Sequence, residues 1–228
     1  MKKLAHVLAP LLAVSLTLFT GCGDSDDPGD NDDTEEEGEE ENEEEVITTL
    51  TLTFTPEDGG EEVVVEFNDE DGDGPDEPTI DDITLAADTT YSVEVEFTNG
   101  LENPPEDITE EVADEAEEHQ VFIFGESVTG PASDVDEEDA LVMHSYADSE
   151  SDYGPNAEGD DLAVGLVNTV TTVDTGNGGE FTVVLRHLPP ESGEAVKEED
   201  LADDVASDGI NSIAGDTDVE ATFVLNVE

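Results

Sequence analysis

An acidic segment at residues 69–74 has the spacing of calcium ligands. Carboxylates occupy its first, third and fifth positions, and Gly74 stands sixth, where a calcium loop bends sharply. A further carboxylate stands at the ninth position, but Ile80 replaces the bidentate glutamate that closes an EF-hand. The alternative is a solvated hairpin loop with no bound ion. The predicted ligands of calcium are Asp69, Asp71, Asp73 and Glu77.

Three histidines follow residue 21, namely His119, His144 and His187. All three lie at or near the ends of predicted strands. A zinc site would require them to converge on one ion and to leave the fourth position open. Isolated histidines on strands are more often polar tips on half-buried faces, so we do not predict zinc from them.

Residue types that are suited to catalysis form no recognisable active site in the sequence. Ser127 lies in Gly-Glu-Ser-Val-Thr, which lacks the second glycine of a nucleophile elbow. Carboxylates are abundant, but no pair is singled out for glycoside hydrolysis. We therefore predict that the protein is not an enzyme.

The N-terminus has the parts of a bacterial export signal. Lys2 and Lys3 precede an apolar run over residues 4–19, which is shorter than the roughly 20 residues of a transmembrane helix. The run leads into Phe-Thr-Gly-Cys at residues 19–22, which resembles a lipobox with Phe in place of the usual Leu. We expect residues 1–21 to be a lipoprotein signal peptide and Cys22 to carry the acyl chains. An ordinary secretory signal is the alternative.

A strongly acidic segment follows the lipobox. Fifteen of residues 23–45 are Asp or Glu, and none is basic. Such a segment cannot bury enough apolar surface to fold, so residues 22–45 are predicted to be the lipidated cysteine and a disordered tether. Ser25 and the two aspartates after it resemble the signal that exports lipoproteins to the cell surface in one large group of Gram-negative bacteria. They are otherwise simply the start of the tether.

Basic residues are nearly absent from the whole chain. Removal of the signal peptide leaves Arg186 and Lys197 against all 66 acidic residues. Two cations cannot form a basic patch, which argues against nucleic acid and anionic phosphate ligands. Molar salt shortens the Debye length to about 3 Å and so screens the self-repulsion of such a domain. The composition therefore favours a saline or hypersaline habitat over a specific cationic partner or calcium as the reason for the charge.

Alternating apolar residues predict strands over most of residues 46–228. Threonine alternates with Leu50, Leu52 and Phe54 in the first of these segments, and the same period of two recurs up to the last. The glycine-rich residues 174–179 predict a tight hairpin between two of the strands. The predicted strands cover residues 46–55, 62–67, 90–98, 120–124, 140–146, 162–173, 180–187 and 219–227.

Helices are scarce in the predicted domain. Asp107 is placed to cap a short helix with Ile108 and Val112 on its apolar side. Residues 197–206 form either a second helix or part of an acidic loop. Strands without alternating helices predict an all-β fold, an antiparallel β-sandwich of the Ig-like or jelly-roll-like kind, with residues 46–228 as a single domain.

Several segments of this domain resemble a family of small uncharacterised bacterial lipoproteins. They are Glu-Val-Ile-Thr-Thr-Leu at residues 45–50, Asp-Gly-Asp-Gly at 71–74, Pro-Glu-Asp-Ile-Thr-Glu-Glu at 105–111, Glu-His-Gln at 118–120 and Leu-Arg-His at 185–187. The resemblance covers most of residues 46–228 and implies a secreted lipoprotein. Some members bear the label of a type 1 periplasmic binding fold, which implies a two-lobed α/β solute receptor. The short, strand-rich pattern differs from that fold.

These observations together predict a cell-envelope lipoprotein of the outer membrane, exposed at the cell surface. We expect a non-enzymatic module, structural or adhesive, that is adapted to high salt and stabilised by calcium. Its partner is the membrane, through the lipid on Cys22, together with an extracellular glycan, solute or protein. The alternative function is a solute- or glycan-binding lipoprotein of an outer-membrane uptake system.

Overall fold

The computed structural model describes residues 45–72, 74–155, 161–190 and 195–228. These residues belong to one compact unit, Glu41–Glu228. The other unit, Met1–Glu40, lies outside the described residues, as do the predicted signal peptide, Cys22 and all of the predicted tether except Glu45. Among the described residues, no helix is long and apolar enough to cross a bilayer.

The described chain is mostly β. Its helices are α1 (Ile108–Asp114), α2 (Glu150–Tyr153) and α3 (Leu201–Asp208), and a 3₁₀ turn spans Ile210–Ser212. Its strands are β1 (Thr49–Pro56), β2 (Val63–Asn68), β3 (Thr79–Ile80), β4 (Ile83–Leu85), β5 (Thr90–Asn99), β6 (Glu106–Asp107), β7 (His119–Phe124), β8 (Val128–Thr129), β9 (Val142–Tyr146), β10 (Val167–Thr172), β11 (Gly176–His187) and β12 (Asp216–Val227).

The strands form two sheets. The larger has the order β3-β2-β1-β5-β10-β9-β8, with β6 also paired to β5, and the smaller has the order β4-β12-β11-β7. Most pairings are antiparallel, but β4 with β12 and β8 with β9 are parallel. The sheets are therefore mixed, although most of their pairings are antiparallel as the predicted sandwich requires. Parallel neighbours need a long crossover, and the connections between these two pairs of strands are long enough to supply one.

The apolar faces of both sheets contribute to one core. The alternation predicted for β1 and β5 is confirmed, since Leu50 and Phe97 lie opposite each other and both are fully buried. Phe54 of β1 contacts Phe181 of β11 with ring centroids 6.2 Å apart. Burial of large apolar side chains from both sheets stabilises the unit, at about 25 cal/mol for each Å² removed from water.

A second, smaller core lies on the opposite face of β7. Phe122 points away from the main core, and α3 covers it with Leu201 and Val205, which are four residues apart on one helix face. Residues 197–206 were expected to form either a helix or an acidic loop, and α3 shows that the second half of this segment is helical. The buried members of this core are Phe122, Ala132, Leu188, Leu201, Val205 and Ile213.

The predicted cap of α1 is confirmed. Asp107 precedes the helix, and its carboxylate accepts a hydrogen bond from the Thr109 N–H at 3.1 Å. Ile108 and Val112 are buried as the apolar stripe predicts. A short connection joins α1 to β7, which begins five residues after the last residue of the helix.

The predicted hairpin at residues 174–179 is wrong. β10 pairs with β5 and β9 in the larger sheet, whereas β11 pairs with β7 and β12 in the smaller one. The segment therefore carries the chain from one sheet to the other. Gly178 does adopt a left-handed conformation, with φ of 77°, but the irregular register between Asn177 and Gly179 places it in a bulge within β11.

Candidate functional site

Two of the three histidines converge at the end of the smaller sheet. His119 of β7 lies directly opposite His187 of β11, and the two rings stack with centroids 4.5 Å apart and planes 9° from parallel. Both side chains face the main core side of the sheet and are almost completely buried. Glu115, just after α1, approaches the pair, with its carboxylate 3.9 Å from His119 Nδ1. Ligand atoms of Glu115, His119 and His187 all lie within 4.8 Å of one another.

Each imidazole in this pair has a carboxylate beside its Nε2 atom. His119 Nε2 lies 3.9 Å from Asp218 Oδ2, and His187 Nε2 lies 3.8 Å from Glu118 Oε2. Burial, followed by the proximity of His187, lowers the pKa of His119 to about 4. His119 is therefore neutral near pH 7.

A β-bulge places Asp218 beside His119. Val219 of β12 pairs with Leu185 and Thr217 pairs with Arg186, so Asp218 is an extra residue on its strand. Bulges re-aim side chains, and the Asp218 side chain is fully buried although its neighbour Glu220 is exposed. No sequence pattern marked Asp218, because the bulge depends on how two distant strands pair.

A cavity of about 310 Å³ adjoins this cluster. Its acidic lining residues are Glu45, Asp69, Asp218 and Glu220. Burial is the main cause that raises the pKa of Glu45 to about 7, followed by a hydrogen bond to Glu111 and repulsion from that carboxylate. Such crowding of carboxylates favours cations over anions at this end of the domain.

The structure divides the predicted calcium ligands between different surroundings. Asp69 lines the acidic cavity, Asp71 Oδ2 accepts a hydrogen bond from the Asp76 N–H at 3.3 Å, and Glu77 is exposed. Asp73 lies outside the described residues. Only glycine fits at position 74, because a Cβ atom there would overlap the Asp71 carboxylate.

His144 does not join the other two histidines. It lies on β9 of the larger sheet, and its Nε2 atom is 2.9 Å from Asn168 Oδ1. The Asn168 amide donates to the Gly165 carbonyl at 2.6 Å, so its oxygen is the acceptor and His144 Nε2 carries the proton. The requirement for three converging histidines is thus not met. His119 and His144 are also more deeply buried than the half-buried polar tips expected of strand histidines.

Both basic residues of the domain are buried. Lys197 donates to Glu150 Oε1 at 2.9 Å and to the Ala116 carbonyl at 2.7 Å. Arg186 donates to the Thr217 hydroxyl at 2.6 Å and to the Ala214 carbonyl at 2.7 Å. Each of the two is only 5 % exposed. The described surface therefore presents many carboxylates and no exposed Lys or Arg.

Comparisons with protein-family models, with curated proteins and with solved structures gave no match. The resemblance to small bacterial lipoproteins thus stays a prediction, and the function rests on the residues and their geometry.

Proposed function

We propose that the protein is an exported lipoprotein, anchored in the outer membrane through Cys22, whose domain is a non-enzymatic surface module that works in concentrated salt. The observation that carries this proposal is the burial of both cations, Arg186 and Lys197. The exposed charges are then almost all of one sign. A structural or adhesive role needs a domain that stays folded and soluble. A surface of this charge meets that need only where salt screens the repulsion between its carboxylates.

The same charge distribution argues against a cationic partner as its cause. A patch that recognises a cationic protein would be acidic on one face, whereas here exposed carboxylates occur on β2, β5, β12 and the connecting loops. Salt adaptation accounts for an acidic surface on every side, and it also accounts for the scarcity of lysine in the whole sequence.

We infer further that the two sheets form a β-sandwich of the Ig-like or jelly-roll-like kind. The shared core and the contact between Phe54 and Phe181 support this inference. The parallel pairs β4·β12 and β8·β9 lie at sheet edges, so they are compatible with an otherwise antiparallel sandwich.

We also propose that calcium stabilises the loop that contains Asp69, Asp71, Asp73 and Glu77. The support comes from contacts within the loop. The Asp71 carboxylate accepts a hydrogen bond from the Asp76 N–H, and it occupies the space that a side chain at Gly74 would fill. Calcium would join these carboxylates and lower their mutual repulsion.

A second candidate function is solute or glycan binding for an outer-membrane uptake system. Tyr153 lines a cavity of about 340 Å³ beside α1, together with Glu94, Glu96 and Glu110. An aromatic ring among carboxylates suits a cationic or polyhydroxylated solute. Tyr91, in contrast, is buried in the core and its hydroxyl accepts a hydrogen bond from the Ala86 N–H.

Two measurements test the proposal for the surface module. In cells, an alkyne fatty acid should label the wild-type chain and not Cys22→Ser, and protease added outside intact cells should digest the anchored domain. In solution, sedimentation velocity should show a compact monomer in 2 M NaCl and an expanded chain in 0.05 M NaCl. Absence of the label, or the same compact form at both salt concentrations, would contradict the proposal.

A further inference from the structure

The strand pairing holds a carboxylate and two imidazoles in one place. His119 and His187 are cross-strand neighbours on β7 and β11. The turn before β7 is fixed by two backbone hydrogen bonds, from the Glu118 N–H to the Glu115 carbonyl at 2.8 Å and from the Leu188 N–H to the Glu118 carbonyl at 2.6 Å. The turn that carries Glu115 is thus hydrogen-bonded, through Glu118, to the residue that follows β11.

The ring nitrogens in this cluster are not all satisfied by the protein. His119 Nε2 and His187 Nδ1 are buried and have no hydrogen-bond partner among the described residues. A buried polar atom without a partner costs free energy, and in a native protein it points to a bound ligand or a functional role. His119 Nδ1 lies 3.3 Å from the Glu115 carbonyl, which can only accept, so Nδ1 carries the proton of the neutral ring and Nε2 carries the lone pair.

Carboxylates lie near both rings, 3.8–3.9 Å from the Nε2 atoms and so beyond hydrogen-bond distance. A metal-ligating histidine commonly directs its other N–H toward a carboxylate, which fixes the tautomer and the ring orientation. Asp218 lies beside Nε2 of His119, and Glu118 lies beside Nε2 of His187. Each ring therefore keeps one buried nitrogen without a hydrogen bond, Nε2 of His119 and Nδ1 of His187, that can bind an ion.

We propose that Glu115, His119 and His187 bind one divalent transition-metal ion of the zinc class. The ligands are a Glu115 carboxylate oxygen and one ring nitrogen of each histidine. Tetrahedral zinc places its ligand atoms roughly 3.3–3.5 Å apart, and the three ligand atoms already lie within 4.8 Å of one another. Binding therefore requires the stacked rings to tilt from parallel and the ligand atoms to move closer together. The fourth position is left to water.

The donor set distinguishes this ion from calcium. Imidazole nitrogen suits zinc, cobalt and nickel, whereas calcium and magnesium prefer oxygen ligands alone. The Glu115 side chain is 53 % exposed, which gives an ion access from solvent, while both histidine side chains are at most 6 % exposed. This site is also separate from the predicted calcium loop, which contains no histidine.

Metal binding by the full-length chain tests the proposal, with Cys22→Ser in every sample so that the thiol supplies no ligand. Chelator-treated protein is titrated with Co²⁺ and then with Zn²⁺ in molar sodium nitrate, with excess magnesium to occupy the surface carboxylates. We expect one Co²⁺ per chain with the intense visible absorption of a four- or five-coordinate ion, and its displacement by Zn²⁺. Binding of many ions with only the weak octahedral spectrum would overturn the proposal, and so would no binding.

Matched variants locate the ion. Glu115→Gln should weaken Zn²⁺ binding by at least the roughly 10- to 100-fold that loss of an outer partner costs, whereas Asp114→Asn, the same charge change on the exposed neighbour, should not. His187→Gln should abolish the visible band, and His144→Gln should retain it. Because Glu115 and Asp114 are exposed, those two variants should fold even if a histidine variant does not. Equal affinities for Glu115→Gln and Asp114→Asn would overturn the proposal.

Discussion

Lys197 and Glu150 form an ion pair inside the domain. The Lys197 Nζ atom lies 2.9 Å from Glu150 Oε1, and the two side chains are 1 % and 4 % exposed. Glu150 begins α2, and Lys197 lies in the segment before α3. Burial lowers the pKa of Lys197, and the hydrogen bond to Glu150 offsets part of that effect. One of the two cations of the domain is thus committed to its interior.

Lys197→Met should therefore be strongly destabilising. Removal of one partner leaves the buried Glu150 charge without its cation, which typically costs about 3–5 kcal/mol. The free energy of unfolding should be measured with urea in 2 M NaCl, since guanidinium is itself a salt. The double variant Lys197→Met with Glu150→Met should recover most of the loss. A cost below about 1 kcal/mol for the single variant would show that the pair is solvated.

Much of the strand content was predictable, because long strands with one buried face alternate visibly. Residues of β1, β5 and β12 follow this period over 8 to 12 positions. The short strands β3, β4, β6 and β8 have only two or three residues, which is too few for any period. Which strands are neighbours was not predictable, since long-range pairing produces the crossing at residues 174–179.

The candidate metal site was only partly visible in the sequence. The sequence places His119 and His187 near strand ends, but their stacking depends on the pairing of β7 with β11. The spacing of Glu115 and His119, four residues apart, was a local signal that a search for metal ligands could have used. Asp218 could not have been found, because its position results from the bulge in β12.

The buried His144 should make the domain less stable in acid. Burial lowers its pKa to about 4, against about 6.5 in an unfolded chain. Stability from neutral His144 is present above pH 6.5 and is lost as the pH falls toward 4, a total of about 3 kcal/mol. The free energy of unfolding in urea should be measured from pH 7.5 to 4. His144→Leu should reduce the slope of this free energy against pH, even if the variant is less stable at every pH. An unchanged slope would contradict the assignment.

Glu45 should have the opposite pH dependence. Its pKa is raised to about 7, so its contribution to stability is present below about pH 4.5 and is lost as the pH rises through 7. A ¹³C NMR titration of the carboxyl groups should show one glutamate that titrates near neutral pH, and Glu45→Gln should remove that signal. Glu220→Gln, a change in an exposed carboxylate of the same cavity, should leave it. Molar salt should lower the Glu45 pKa by screening its neighbours.

Calcium should raise the unfolding temperature at constant ionic strength. A ligand that binds only the folded state stabilises it by about 2.7 kcal/mol when its concentration is 100 times Kd. With 2 M NaCl throughout, we expect millimolar calcium to raise the midpoint relative to chelator for the wild type and for Asp82→Ala, an exposed aspartate outside the loop. Asp71→Ala should show no rise. If all three proteins respond equally, calcium acts on the surface charge and not on the loop.

The salt dependence of stability is the most direct test of the proposed surface module. The free energy of unfolding in urea should be measured at pH 7.5 between 0.1 and 2 M NaCl for the wild type and for a variant with Glu94, Glu96 and Glu220 changed to Gln. These three residues are exposed on β5 and β12. We predict that stability rises steeply with salt in the wild type and less steeply in the variant. Stability that does not change with salt, or that changes equally in both proteins, would contradict adaptation of this surface to high salt.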